Sequence, residues 1–203
     1  MDKIEIGFTQ FMDFILKGST ARVSYVRSLK AQPEYHPGLD FWKLLRDEIK
    51  NIHQNNLDIS TLAEILDGLH EKKINQYTQA ISAYQKFCKG KSIEWFDIDR
   101  SFWAFDRLVV RSTPEMGLII NGVPFVIKMY FKEHKETLTK RKANSLLTLM
   151  EDSAYLTPYP KATHAVLSIK KGKMYPLETK VTTDMRLGLE GEAMSFMHLW
   201  DKV

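Results

Sequence analysis

The chain has 203 residues, 44% of them hydrophobic and 27% charged, which fits one sizeable core and excludes a disordered or low-complexity protein. A net charge of +4 permits an acidic partner without demanding one, and the single cysteine, Cys88, excludes an intramolecular disulfide and a cysteine-based zinc cluster. No run of residues reaches the length of a membrane span, and Met1-Asp2-Lys3-Ile4-Glu5 lacks the basic-then-apolar order of a signal peptide, so a cytoplasmic location is expected.

The first half reads as helices. Phe8, Phe11, Met12, Ile15 and Leu16 recur at helical spacing and Gly18 stops them, giving a helix over 8–17. Val23, Val26 and Leu29 mark a second over 21–31, after which Pro33 and Pro37-Gly38 break the pattern. Phe41, Trp42, Leu44, Leu45 and Ile49 outline a third, to about His53. Ser60 is placed to cap a fourth that carries Leu62, Ile65, Leu66 and Leu69. Ile74, Tyr77, Ile81, Tyr84 and Phe87 line a fifth, ended by Gly90. These stripes are read as packing surfaces, and Cys88 as a packed thiol at a helix end.

After Lys91 the period changes to that of strands. A short strand over 95–98 sets Asp97 and Asp99 on one side, and Leu108-Val109-Val110 is an apolar run suited to a sheet. Runs over 116–120 and 123–131 flank Asn121-Gly122, and both turn residues tolerate the positive φ of a type I′ hairpin. A two-residue turn sets Ile120 opposite Val123, Gly117 opposite Val126 and Glu115 opposite Lys128. Phe125, Ile127, Met129 and Phe131 then share one face, and Val126, Lys128, Tyr130 and Lys132 the other. A helix over 139–151 follows, then a strand over 164–169, a Lys171-Gly172 turn, a partner strand over 174–177 and a final helix carrying Leu189, Ala193, Phe196, Met197 and Trp200. Strand, helix and strand in succession imply a crossover. The expected fold is α/β (α+β): a helical region over 1–90, then an α/β core over 91–203 with a mixed sheet, a central hairpin and flanking helices.

Two resemblances attach to these residues. Pro114-Glu115 on one strand and Val126-Ile127-Lys128 on the next resemble the PD-(D/E)XK nuclease superfamily, in which acids bind a divalent metal and the lysine helps position or activate the attacking water. The resemblance implies Glu115 and Lys128 as catalytic residues and Glu115 as ligand to Mg²⁺ or Mn²⁺. Val126 departs from the pattern, since the superfamily has Asp or Glu there, and a replacement acid is sought in Glu48, Asp97, Asp99 or Asp106. Separately, residues 111–150, with "AVLSIKKGKMYP" from Ala165 and "EGEAMSFMHLWDKV" from Glu190, resemble a widespread bacterial family of uncharacterised proteins. Ser168 stands where its relatives carry an acid.

The remaining chemistry is basic. Lys128, Lys132, Lys135, Lys140, Arg141 and Lys142 outnumber Glu133 and Glu136 over 128–142, and Lys170, Lys171 and Lys173 recur in the later turn. If the strand after the crossover lies beside the hairpin, these cations form one surface for DNA or RNA phosphates, with Tyr130, Tyr155 and Tyr159 available to stack on bases. His36 and His53 are expected at the surface, His70, His134, His164 and His198 show no metal-ligand spacing, and no phosphate-binding glycine loop, nucleophile elbow or zinc signature is present. Three functions are compatible with these features. In order of expectation they are a nucleic-acid-associated protein with a degenerate nuclease-like core, a protein–protein adaptor acting through its N-terminal helices, and a metal-dependent nuclease. In the first, phosphates meet Lys128, Lys132, Lys140, Arg141, Lys142, Lys170 and Lys171.

Overall fold

The computed structural model describes residues 2–31, 40–131, 138–157, 159 and 161–203, without the side chain of Arg141. Lys132, Lys135 and His134 therefore lie outside the described residues. The described elements confirm an α/β protein, arranged as two mixed sheets rather than one.

The central sheet has five strands: β2 (Ile93–Phe96), β5 (Met116–Ile120), β6 (Val123–Tyr130), β8 (Thr163–Ser168) and β9 (Lys173–Pro176), in the order β2-β5-β6-β8-β9. The β5–β6 hairpin has the predicted register, Gly117 opposite Val126 and Ile120 opposite Val123. Asn121 and Gly122 take φ of 50° and 80°, and the Asn121 side chain accepts the Ser92 N–H at 2.9 Å, tying the turn to the approach of β2. From β6 the chain passes through helix α5 (Lys140–Glu151), capped by Thr139, and returns as β8 parallel to β6. The predicted crossover is thus present.

β6 and β8 are buried on both faces, as near-continuous apolar runs require. Val126, Tyr130 and Val166 enter one core, with helices α1 (Phe8–Leu16), α2 (Ser19–Lys30), α5 and α6 (Thr183–Lys202). Ile127, Met129, Ala165 and Leu167 enter the other, beneath α3 (Lys43–Gln54), a 3-10 helix (Ile59–Leu66) and α4 (Glu71–Cys88). The predicted alternation along β6 is therefore observed. The helix expected after Ser60 is 3-10 in form. Asp58 caps it, accepting the Ser60 N–H at 2.7 Å, because its carboxylate is the stronger acceptor at the entrance.

The second sheet was not foreseen. It contains β1 (Ile4–Gly7), β3 (Ser101–Phe105), β4 (Leu108–Arg111) and β7 (Ala154–Tyr155), in the order β1-β4-β3-β7. The Leu108-Val109-Val110 run does enter a sheet, with β1 parallel on one side and β3 antiparallel on the other. Asp106, at φ 50°, makes the β3–β4 turn without a glycine. The expected strand over 95–98 sits two residues earlier, so Asp97 and Asp99 fall in the link to β3 rather than on one strand face. Residues 112–115 carry the chain from this sheet into the central one, and the candidate site lies along that passage.

Candidate functional site

Glu115 and Lys128 meet as the register predicts. The Glu115 N–H donates to the Ile127 carbonyl at 3.0 Å, adding one ladder bond beyond β5. Its Oε2 accepts the Met129 N–H at 2.7 Å and its Oε1 accepts from Lys128 Nζ at 2.6 Å. Nζ also donates to the Thr113 carbonyl at 2.8 Å and sits 5.1 Å from the centre of the Phe8 ring. The two side chains are only 9% and 15% exposed, so this is a buried, hydrogen-bonded ion pair. Lys128 faces the core. Sequence alternation put it on the same face as Tyr130, but that face is covered by α1.

The acids sought as replacements for Val126 are engaged elsewhere. Glu48 accepts from the Asn51 side chain, Asp97 from the Trp95 indole at 2.9 Å, and Asp99 from the Arg100 N–H; Asp106 sits in the β3–β4 turn. Arg46 on α3 is the charged group that approaches Glu115 from the helical layer. Burial works against its charge, but the Asp40 carboxylate at 2.9 Å, with Glu115 and Asp47 beyond, raises its pKa. Among the described residues, no group of three or more His, Cys, Asp or Glu is placed to hold a metal. Hard divalent cations take several oxygen ligands, and both Glu115 oxygens are already committed. The described residues around Glu115 do not fit Mg²⁺ or Mn²⁺.

A second polar group was missed in the sequence. His164, 2% exposed, stands on β8 opposite Val126, on the same sheet face as Lys128. Its Nδ1 lies 2.7 Å from Glu151 Oε2, at the end of α5, and its Nε2 lies 2.9 Å from the Tyr155 hydroxyl and 3.2 Å from that of Tyr159. Burial lowers the His164 pKa, and outweighs the opposing pull of Glu151. Burial also raises both tyrosines, with Tyr159 adding for Tyr155 and Glu151 for each. The neutral imidazole that results donates from Nδ1 to Glu151 and accepts a phenol proton at Nε2, a tautomer assigned from the partners. Such a relay can pass a proton between phenol and carboxylate. Its present effect is to clamp the segment after α5 onto the sheet.

The two groups are joined. Tyr155 stands opposite Ser101 in the β3–β7 pairing, Ser101 Oγ lies 2.9 Å from Ser112 Oγ, and the Ser101 N–H donates to Thr113 Oγ1 at 3.2 Å. Thr113 then accepts Lys128, so a polar seam runs from Glu151 to Glu115 between the sheets. Tyr155 and Tyr159 are spent on this seam and on each other, with rings 4.6 Å apart. The sequence signal for it was thin. His164 has no partner at a regular sequence spacing, because its partners come from the end of the crossover helix and the segment between it and β8.

The described surface cations of the two basic stretches lie in the first turn of α5 and in or beside the β8–β9 turn. Lys140 pairs with Glu178, and Lys142 Nζ reaches the Leu16 carbonyl at 3.3 Å. Lys170 sits 5.4 Å from the centre of the Trp42 ring, itself stacked on Phe131 and Tyr77. Lys171 is exposed in the β8–β9 turn, and Lys173 lies 5.1 Å from the Tyr175 ring centre.

Fold and site together define an α/β protein with a doubly covered mixed sheet, a closed Glu–Lys pair and a basic strand end. No protein-family model matches the chain, and no curated protein is recognisably similar to it. Among the described residues no helix is long and apolar enough to cross a membrane.

Proposed function

We propose that the protein is a nucleic-acid-associated, non-cleaving protein whose β5–β6–α5–β8 core is a degenerate relative of the PD-(D/E)XK nucleases. The observation that carries this reading is the parallel register of β6 and β8, Tyr130 beside Ser168. Parallel neighbours leave the sheet at the same end. The chain therefore leaves β6 after Tyr130 at the same end of the sheet as the Lys170-Lys171-Gly172-Lys173 turn that follows β8, and a basic turn at a sheet end is what phosphate binding draws on. Lys140, Lys142, Lys170 and Lys171 are its described cations. Lys128 holds the core instead, through Glu115.

The test is fluorescence anisotropy with single- and double-stranded DNA and RNA over a salt series. Binding is expected to weaken steeply with salt, and Lys170→Glu/Lys171→Glu is expected to lower the slope of log K against log salt by about 1 per lost phosphate contact. No binding at low salt removes the reading. Mg²⁺-dependent cleavage lost in Glu115→Ala would replace it with the nuclease. The adaptor alternative has less surface to work with. Leu45, Ile49 and Ile52 of α3 are buried on the central sheet, and among the described residues of the helical layer Leu44, Leu57 and Ile74 are the large exposed apolar side chains.

A further inference from the structure

A cleft of about 150 Å³ opens between the N-terminal half of α5 and β9. Lys140 and Asn144 line it from the helix, Lys173 and Tyr175 from the strand, and Glu178 from just beyond. It thus brings together one lysine from each basic segment of the sequence. Its polar groups are unequally committed. The Tyr175 hydroxyl donates to the Leu138 carbonyl at 3.1 Å, which fixes the cleft wall. Lys173 rests against the Tyr175 ring, and Lys140 holds Glu178 in an ion pair whose members are 68% and 54% exposed. A pair so exposed contributes little, so an anion of higher charge can displace the Glu178 carboxylate.

We infer that this cleft is a phosphate-monoester site, with Lys140 and Lys173 as its charged donors, the Asn144 amide as its neutral one, and Glu178 as an internal stand-in for the ligand. Two ammonium groups from separate elements suit a phosphate dianion, and lysine binds phosphate as a point charge without needing a planar fork. A recessed site suits a terminal phosphate better than a mid-strand phosphodiester, which carries a nucleoside on both sides. This deepens the nucleic-acid reading and rests on it for the identity of the ligand: the 5′-phosphorylated end of a strand.

The experiment is isothermal titration of the full chain with inorganic phosphate, and with one single-stranded DNA 12-mer bearing either a 5′-phosphate or a 5′-hydroxyl. The phosphorylated strand is expected to bind about tenfold tighter, worth roughly 1.4 kcal/mol. Lys173→Gln should bring the two strands within about twofold of each other. Glu178→Gln, by releasing Lys140, should strengthen phosphate binding several-fold. Both substitutions are near the surface, and unchanged melting curves establish that the fold is intact. Equal affinity for the two ends, or weaker phosphate binding by Glu178→Gln, overturns the inference. If both strands bind with steep salt dependence but no preference for the phosphorylated end, this site falls and the nucleic-acid reading stands. If neither strand binds but inorganic phosphate does, more tightly in Glu178→Gln and more weakly in Lys173→Gln, the phosphate site stands and the nucleic-acid reading falls with its strand-end ligand.

Discussion

Replacing Glu115 by Gln leaves the shape of the β5–β6 junction unchanged and removes one charge. The side-chain amide can still accept the Met129 N–H, but Lys128 Nζ, in a side chain 9% exposed, then keeps only the Thr113 carbonyl as a hydrogen-bond partner. Removing one member of a buried, hydrogen-bonded pair strands the other charge, at a cost of about 3 kcal/mol. Lys128→Met should cost about the same, because it strands the carboxylate. The double variant should lose only about 2 kcal/mol, well below the roughly 6 expected from adding the singles, since no charge is then left unpaired. For a chain of this size each single variant lowers Tm by about 6–12 °C. Urea unfolding of the four proteins, with the m-value checked for constancy, measures the cycle. A cost below about 1 kcal/mol for Glu115→Gln, or additive singles, would refute a structural role for the pair and return the acid to the category of residues kept for chemistry.

Other outcomes follow from burial and backbone geometry. Burial lowers the His53 pKa from 6.5 to about 4, beside the Tyr84 hydroxyl at 2.6 Å. The unfolded chain takes up this proton first as pH falls, so the stability it supplies is present above about pH 6.5 and is lost on descent to pH 4, by about 3 kcal/mol. Burial shifts His164 in the same direction. Urea midpoints at pH 7 and pH 4.5 should fall less in His53→Gln than in wild type, and parallel pH curves would sink the assignment. Gly172 has φ 57° and a side-chain carbon there would lie 2.5 Å from the Ala83 carbonyl oxygen, whereas Gly122 has φ 80° and open space. Gly172→Ala should therefore cost about 3 kcal/mol and Gly122→Ala about 1; equal melting shifts for the two would contradict this.

The hairpin was legible because its information is local. Asn121-Gly122 fixes the turn, the turn fixes the register, and alternation then places Glu115 against Lys128 and sorts β6 between two cores. The helices were legible for the same reason, each to within a few residues. What escaped depends on distant partners. β1 has only Ile4 and Ile6 as its apolar alternation, and it is a strand because β4 lies beside it. β3 was overlooked because Asp106 turns the chain where a glycine would have announced a turn. His164 looked isolated because Glu151, Tyr155 and Tyr159 converge on it only after the crossover closes. The burial of Lys128 was hidden too: its sequence neighbours show which face it takes, but not that Phe8 covers that face.

The pairing of β1 with β4 joins segments roughly a hundred positions apart, against two for the β5–β6 turn, and so sets an order of events in folding. The hairpin can close on a microsecond timescale from local information alone, while the docking of β1 on β4 waits for a long loop to be closed. Until residues 4–7 dock, Leu108-Val109-Val110-Arg111 presents one flank of unpaired N–H and C=O groups on an apolar strand, the kind of edge that recruits strands from other chains. The short first strand is thus a cover as much as a component. A chain that loses it forfeits four residues of sheet and gains an aggregation-prone edge in the interval before, and after, the rest has folded.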